Sequence, residues 1–337
     1  MASGEDIGMP AIVDASWCYQ GLRALVMENE LLRLVVLPEV GGRIWSLTYK
    51  PLARELLWHH PRLKLLRLPF GVSYDNHFFG GWDEIFPNDA PVTISGEELP
   101  DHGEFWSIPF DWWIASKGRI GDEVSVCLVA EGPLTACLLE KTITLRSDEF
   151  GFTIGYRLHN PTGKDLPFLW KLHPAFAVEP GARILLPPCQ IRPEFEYCSR
   201  FSTEVTEFPW SHTRTPDGQV LDVSLVPPPS DQSMDFYYAL NLDRGECGVF
   251  LPSLGLQVRL SFPLTIFSTV WVFASYGGWR HLYVCLLEPS TGYPYRLEEG
   301  IRNGTVPVLK AGGEVRADVR VEVTQAGNEG GGAGSPR

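Results

Sequence analysis

Two stretches of the chain carry side chains suited to moving protons. His173 lies in 169–176, LWKLHPAF, a mostly apolar and aromatic run in which the imidazole is followed at once by Pro174. Glu288 lies in 285–295, CLLEPSTGYPY, where the carboxylate ends an apolar run and precedes Pro289. An imidazole and a carboxylate placed on either side of one reacting group can act as general acid and general base, provided both titrate near neutrality. A plainer reading stands beside this one. A histidine before proline can cap a turn, and a strand-end glutamate can be a solvated surface group.

Polar, titratable and aromatic residues concentrate in four stretches that break the pattern of the rest: 74–91 (YDNHFFGGWDEIFPNDAP), 99–113 (LPDHGEFWSIPFDWW), 169–176 and 285–295. Their Gly, Pro, Trp and charge content predicts loops, and loops on a rigid scaffold are where sites usually form. Trp82, Trp106, Trp112, Trp113, Trp170 and Tyr293 fall in them. A sugar ring has apolar C–H faces and polar edges, so a flat aromatic beside Asp, Glu, Asn or His suits it. Trp112 and Trp113 read as core. Trp82, between GG and DE, reads equally as core or as a sugar platform. Asp83 and Glu84 read as hydrogen-bonding partners of a sugar or as loop architecture. A metal set from His59, His60, His77 and Asp75 has no tight ligand spacing. No phosphate loop or dinucleotide fingerprint occurs, and the chemistry above calls for no cofactor.

The elements that must position these groups show a two-residue period. In EFGFTIGYRLHN, Phe150, Phe152, Ile154, Tyr156 and Leu158 share a face. In EVRADVRVEV, Val315, Ala317, Val319, Val321 and Val323 alternate with charged residues, and LQVRLSF repeats the pattern through Leu256, Val258, Leu260 and Phe262. Such alternation marks half-buried antiparallel strands. Further strands are expected at 22–28, 31–37, 43–49, 123–130, 135–146, 182–187, 265–274 and 281–288. Turn residues punctuate them, as in PEVGGR, NPTGKD and TPDGQ. No helical period exceeds about three turns; the nearest segment, 61–68, could equally be a buried strand. The pattern predicts an all-β protein, a large antiparallel sandwich in one domain over 1–325. The Gly-rich tail, 326–337, is expected to be disordered.

Bulk properties remove several classes of function. The chain has 337 residues, 44% of them hydrophobic, enough for a sizeable core. A formal net charge of -13 and the lack of a dense Lys/Arg run argue against nucleic acid as a partner. Seven dispersed cysteines with no CxxC pair read as reduced thiols. The acidic N-terminus lacks the apolar core of a signal peptide, and no apolar run would span a bilayer. The expectation is a cytoplasmic protein with a small-molecule partner, its oligomeric state open.

HGEFW, HPAF and LLEPSTGYP, in this order, resemble the galactose mutarotase-like superfamily of aldose 1-epimerases. The resemblance covers about 20–325 by strand pattern and motif order. It is closer to uncharacterised epimerase-like relatives than to the well-known hexose mutarotases. It implies a β-supersandwich and an isomerase that interconverts the anomers of a free sugar, with Glu288 as general base, His173 as general acid and His102 near the sugar's ring oxygen. The family's Asn-Arg substrate motif is not recognisable, since FGGWDEIFPN occupies that region; Arg43, in GGRIWSL, is the candidate arginine. Asp235, in SMDFYYAL, is the candidate for the family's later sugar-binding aspartate. Trp82, Trp106, Asp83 and Glu84 complete the expected substrate-binding set. The competing readings are a carbohydrate-binding protein without turnover, and another sugar enzyme on this scaffold, a phosphosugar epimerase or a lyase. The last predicts an arginine cluster or an extra tyrosine in the site.

Overall fold

Alternating apolar residues give strands one buried face, and two such sheets close a core between them. The computed structural model of the chain describes residues 10–94, 96–117 and 123–325; the expected disordered tail lies outside these. A twelve-stranded sheet runs in the order Ile12–Tyr19, Leu22–Glu28, Leu32–Leu37, Arg43–Tyr49, Trp82–Ile85, Lys171–Phe176, Tyr283–Ser290, Thr269–Tyr276, Ser233–Leu240, Gln190–Pro193 and Phe208–Pro209, with Arg54–Glu55 paired on Arg43–Tyr49. An eight-stranded sheet runs Arg183–Leu185, Glu246–Leu251, Leu256–Ser261, Glu314–Gln325, Gly151–His159, Leu138–Arg146, Glu123–Glu131 and Asp111–Ser116. The pairings in both sheets are antiparallel. One apolar cluster spans both sheets, with Leu172, Val270 and Leu287 from the larger and Ile154, Val258 and Val321 from the smaller.

The expected strands at 22–28 and 43–49 are observed with those bounds, and Phe152, Ile154, Tyr156 and Leu158 face inward as their alternation requires. Phe150 does not; it precedes the strand and is exposed. Segment 61–68 is neither helix nor strand, and Leu297–Asn303 is the one α-helix among the described residues. No helix among the described residues is long and apolar enough to cross a membrane.

The expectation of loops needs correction within 74–91 and 169–176, while the strand expected at 281–288 runs on into 285–295. Trp82–Ile85, Lys171–Phe176 and Tyr283–Ser290 are adjacent strands in the middle of the larger sheet. Every residue of the first two is buried. A strand covered on both faces has no solvent side to carry polar residues, so its sequence loses the alternation that identifies edge and half-exposed strands.

These three strands fix the relations that matter. Lys171–Phe176 pairs with Trp82–Ile85 so that His173 is opposite Asp83 and Leu172 is opposite Glu84. On its other side the pairs are Lys171–Ser290, Ala175–Leu286 and Phe176–Cys285. That single register places His173 opposite Glu288. The ladder lapses at this point, where Pro174 and Pro289 lack an N–H to donate.

Candidate active site

Parity decides which side chains reach the cleft. Successive residues of a strand point to opposite faces. Lys171 and His173 therefore share one face with Asp83, Leu286 and Glu288, while Trp82, Glu84 and Leu172 turn toward the other sheet. On the first face lies a cleft with about 860 Å3 of empty space, its open mouth included. Asp75, Asp89, Asp101, His102, Lys171, His173 and Glu288 supply its ionisable lining; Tyr74, Phe78, Tyr197, Phe236, Phe273, Trp279 and Tyr295 supply aromatic walls.

His173 is held from behind. Its Nδ1 lies 3.1 Å from Asp83 Oδ1 and 2.9 Å from the Tyr74 hydroxyl, which also donates to Asp83 at 3.2 Å. Arg43 Nη2 stands 2.6 Å from Asp83 Oδ2. Burial pushes the Asp83 carboxyl up, but the Arg43 guanidinium and the bond to His173 outweigh it and hold it down at about 2. An ionised carboxylate can only accept, so Nδ1 carries a hydrogen and Nε2 is the ring nitrogen left to face the cleft. Burial and the Asp83 charge keep the Tyr74 hydroxyl protonated, well above its ordinary pKa.

Glu288 faces His173 Nε2 across 3.7 Å, measured to Oε2. The same oxygen accepts from Lys171 Nζ at 2.6 Å. Lys171 also donates to Asp89 and lies 4.2 Å from the centre of the Trp271 ring. Burial pulls the Lys171 ammonium's pKa down, but Asp89 and Glu288 outweigh that and leave it above its ordinary value.

His102 sits on a turn with φ of 59°, next to Gly103 at φ 68°. A Cβ on Gly103 would meet the Phe86 carbonyl oxygen at 2.0 Å, so the backbone approaches too closely there for any other residue. The imidazole stacks on Tyr74, with ring centres 4.0 Å apart and planes 8° off parallel. Its Nδ1 lies 2.7 Å from Asp101 Oδ1 and its Nε2 3.8 Å from Asp89 Oδ2. Burial pulls its pKa down, but Asp89 and Asp101 outweigh burial and raise it. Acidic and basic groups thus alternate across the floor of the cleft, from Asp101 through His102, Asp89 and Lys171 to Glu288, and Asp83 and Arg43 follow one another behind His173.

Of the residues expected from sequence, His102, His173 and Glu288 line the cleft together. Asp83 and Arg43 stand behind His173, each 1% exposed. The others are corrected in position. Trp82 is sealed in the core between the sheets. Trp106 is buried behind Tyr74, edge-on to it at 4.8 Å, and donates to the Asp101 carbonyl. Glu84 is a strut between sheets, accepting from Lys141 at 2.6 Å and Tyr156 at 2.8 Å. Asp235 is paired with Arg200 at 2.8 Å and does not line the cleft. His59, His60 and His77 do not converge with Asp75 on a common point; they bond to the Trp45 carbonyl, the local backbone and the Ser73 carbonyl.

Sequence reasoning missed Lys171, Asp89, Tyr74 and Asp101. Lys171 could have been found, because a Lys two residues before His173 must share its face on a strand. Asp101 immediately precedes His102 and bonds to it; Tyr74 and Asp89 meet the site only through tertiary contacts.

No protein-family model matches the chain, and no curated protein matches it. Solved structures do. A Klebsiella pneumoniae protein provisionally named aldose 1-epimerase is 14% identical, with a TM-score of 0.73 over 95% of this chain and 88% of that one. A galactose mutarotase-like protein from Clostridium acetobutylicum is 10% identical, with a TM-score of 0.62 over 94% and 99%. A galactose mutarotase related enzyme from Lactobacillus acidophilus is 14% identical, with a TM-score of 0.57 over 91% and 99%. Likeness over nearly the whole length, with the antiparallel strand order above, shows that the chain has the β-sandwich fold of these galactose mutarotase-like proteins.

Proposed function

We propose that the protein is an isomerase of the aldose 1-epimerase type, interconverting the anomers of a free sugar. One observation carries this reading: His173 Nε2 and Glu288 Oε2 face each other at 3.7 Å on the cleft side of two neighbouring strands. The hydroxyl oxygen and ring oxygen of a cyclic hemiacetal are bonded to the same carbon. An acid and a base side by side on one face of the cleft can therefore reach both oxygens of one substrate.

Glu288 takes the proton of the anomeric hydroxyl while protonated His173 delivers a proton from Nε2 to the ring oxygen. The electrons of the breaking C1–ring oxygen bond go to that oxygen, and the O–H electrons form the aldehyde C=O. Rotation about C1–C2 turns the other face of the carbonyl inward, and closure returns both protons. Asp83 steadies His173 in its charged form through Nδ1, while His102 is placed to bind the ring edge.

The substrate class follows from the lining. Asp75, Asp89, Asp101 and Glu288 face Lys171 and two histidines, and no arginine is among the lining residues. That balance favours an uncharged sugar over a phosphosugar. Tyrosines are present, but the Tyr74 hydroxyl is bonded to Asp83 and His173, and that of Tyr295 to Glu196, which weighs against a tyrosine-based lyase. The test is exchange NMR on a panel of free aldoses, reading anomer interconversion directly. Exchange above the spontaneous rate for at least one aldose supports the reading. Saturable sugar binding without added exchange would make the protein a carbohydrate-binding one.

A further inference from the structure

Lys171 is the one lysine in the cleft, yet nothing about its setting suits contact with substrate. Its side chain is 2% exposed. An ammonium has three donors, and here they point to Asp89 Oδ2, to Glu288 Oε2 at 2.6 Å and over the Trp271 ring at 4.2 Å. Each of those directions is already occupied by protein.

What Lys171 touches is more informative. Glu288 Oε2 also faces His173 Nε2, 3.7 Å away. Once Nε2 carries a proton, a carboxylate at that distance is drawn toward it, and closing the gap would give a direct hydrogen bond of about 2.7–2.9 Å. A closed pair would consume the acid and the base at once, leaving neither for a ligand.

We infer that Lys171 is a positioning residue that holds the Glu288 carboxylate off His173, keeping the pair open for a substrate to bridge. Asp89 and Trp271 lock the ammonium in place, so that the flexible lysine stem delivers one fixed point charge. Three side chains, on two strands and one loop, therefore serve a single gap. The catalytic consequence rests on the function proposed above; the positioning itself does not.

The experiment has two readouts. The first is the crystal structure of Lys171→Ala without sugar. The expected result is a Glu288 carboxylate turned onto His173, with the Oε2–Nε2 distance down to a hydrogen bond. Because Lys171→Ala leaves two carboxylates without their cation, Lys171→Met combined with Asp89→Asn, which removes one charge of each sign, is examined in parallel. A gap that stays at 3.7 Å in both variants overturns the inference. The second readout is anomer exchange. The expected loss is about 10²-fold in kcat, the usual effect of a slightly misplaced group, with KM little changed and partial recovery when methylammonium is added to Lys171→Ala. A raised KM at unchanged kcat would make Lys171 a substrate ligand and overturn the inference. If the gap closes in the variants but the wild-type protein exchanges no sugar, the positioning stands and the proposed function falls.

Discussion

Asp83 takes the Nδ1 hydrogen of His173 from the directly opposite position on the neighbouring strand, at 3.1 Å. The imidazole is thus oriented by sheet register rather than by a loop. Register is specified by every pair along two strands, so the ring is as rigid as the sheet itself. Arg43 then fixes Asp83 from behind. The result is one free ring nitrogen with a defined direction, aimed at Glu288.

His173→Asn and Glu288→Gln should each lower anomer exchange by about 10²–10⁴-fold, the usual cost of losing a positioned acid or base. The double variant should be little worse than the worse single, because both groups act in one exchange of protons. Single-turnover or exchange NMR on the best aldose checks this, together with a Tm to show that the fold survives. Near-full activity in either single variant would remove that residue from the mechanism.

Asp83→Asn tests the support rather than the acid. An amide in place of the carboxylate can set the wrong tautomer on His173, and the rate should fall by about 10²–10⁴-fold. The ionised carboxylate also stabilises the fold in a pH-dependent way. Its folded pKa, about 2, lies below the ordinary 3.8. The stabilisation is therefore complete above the unfolded value and is lost as pH falls through the folded one, and it amounts to about 2 kcal/mol. Urea denaturation of wild type and Asp83→Asn from about pH 6 to about pH 2.5 should show the stability gap shrinking at the acid end. A gap independent of pH would mean that Asp83 is not held ionised by Arg43.

The sequence and the structure diverge in an instructive place. The half-exposed strands were legible because water on one face enforces alternation, as in Gly151–His159 and Glu314–Gln325. Trp82–Ile85 and Lys171–Phe176 were not, because both faces are covered, one by the other sheet and one by the cleft walls. That is why Trp82 and Glu84 were grouped with Asp83 as candidates for one site. On a loop all three could face a sugar. On a strand, two must point away. Motif order brought His102, His173 and Glu288 to one cleft, but no local pattern joins Tyr74 or Asp89 to them, since their contacts run between separate strands and loops.

The aromatic partner of a sugar should accordingly be sought on the cleft wall. Trp279 lines the cleft and is half-exposed, packed edge-on against Phe273 at 5.3 Å. Saturating sugar should change tryptophan fluorescence, and Trp279→Phe should abolish most of the change. Trp82→Ala should instead cost about 3–5 kcal/mol of stability by leaving a core cavity, with the ligand-induced change retained in whatever protein folds. A change that survives Trp279→Phe would place the sugar elsewhere in the cleft.

His102 gives the last prediction, and its pH dependence has the opposite sign to that of Asp83. Asp89 and Asp101 raise its pKa above the ordinary 6.5 despite burial. A group with a raised folded pKa contributes stability that is fully present below the unfolded value and is lost as pH rises through the folded one. His102→Gln should therefore be less stable than wild type at about pH 5.5, and the gap should close toward about pH 9. The same residue stacks on Tyr74, whose hydroxyl holds His173, and it lines the cleft beside Asp89. Loss of the imidazole should weaken sugar binding directly and loosen the acid indirectly, so KM should rise and kcat should fall together. Thermal denaturation across the pH range reads the first effect, and exchange NMR at several sugar concentrations reads the second. A stability gap that widens with pH would mean that His102 is neutral in the folded protein, and the alternating charges on the cleft floor would have to be redrawn with Asp89 answering to Lys171 alone.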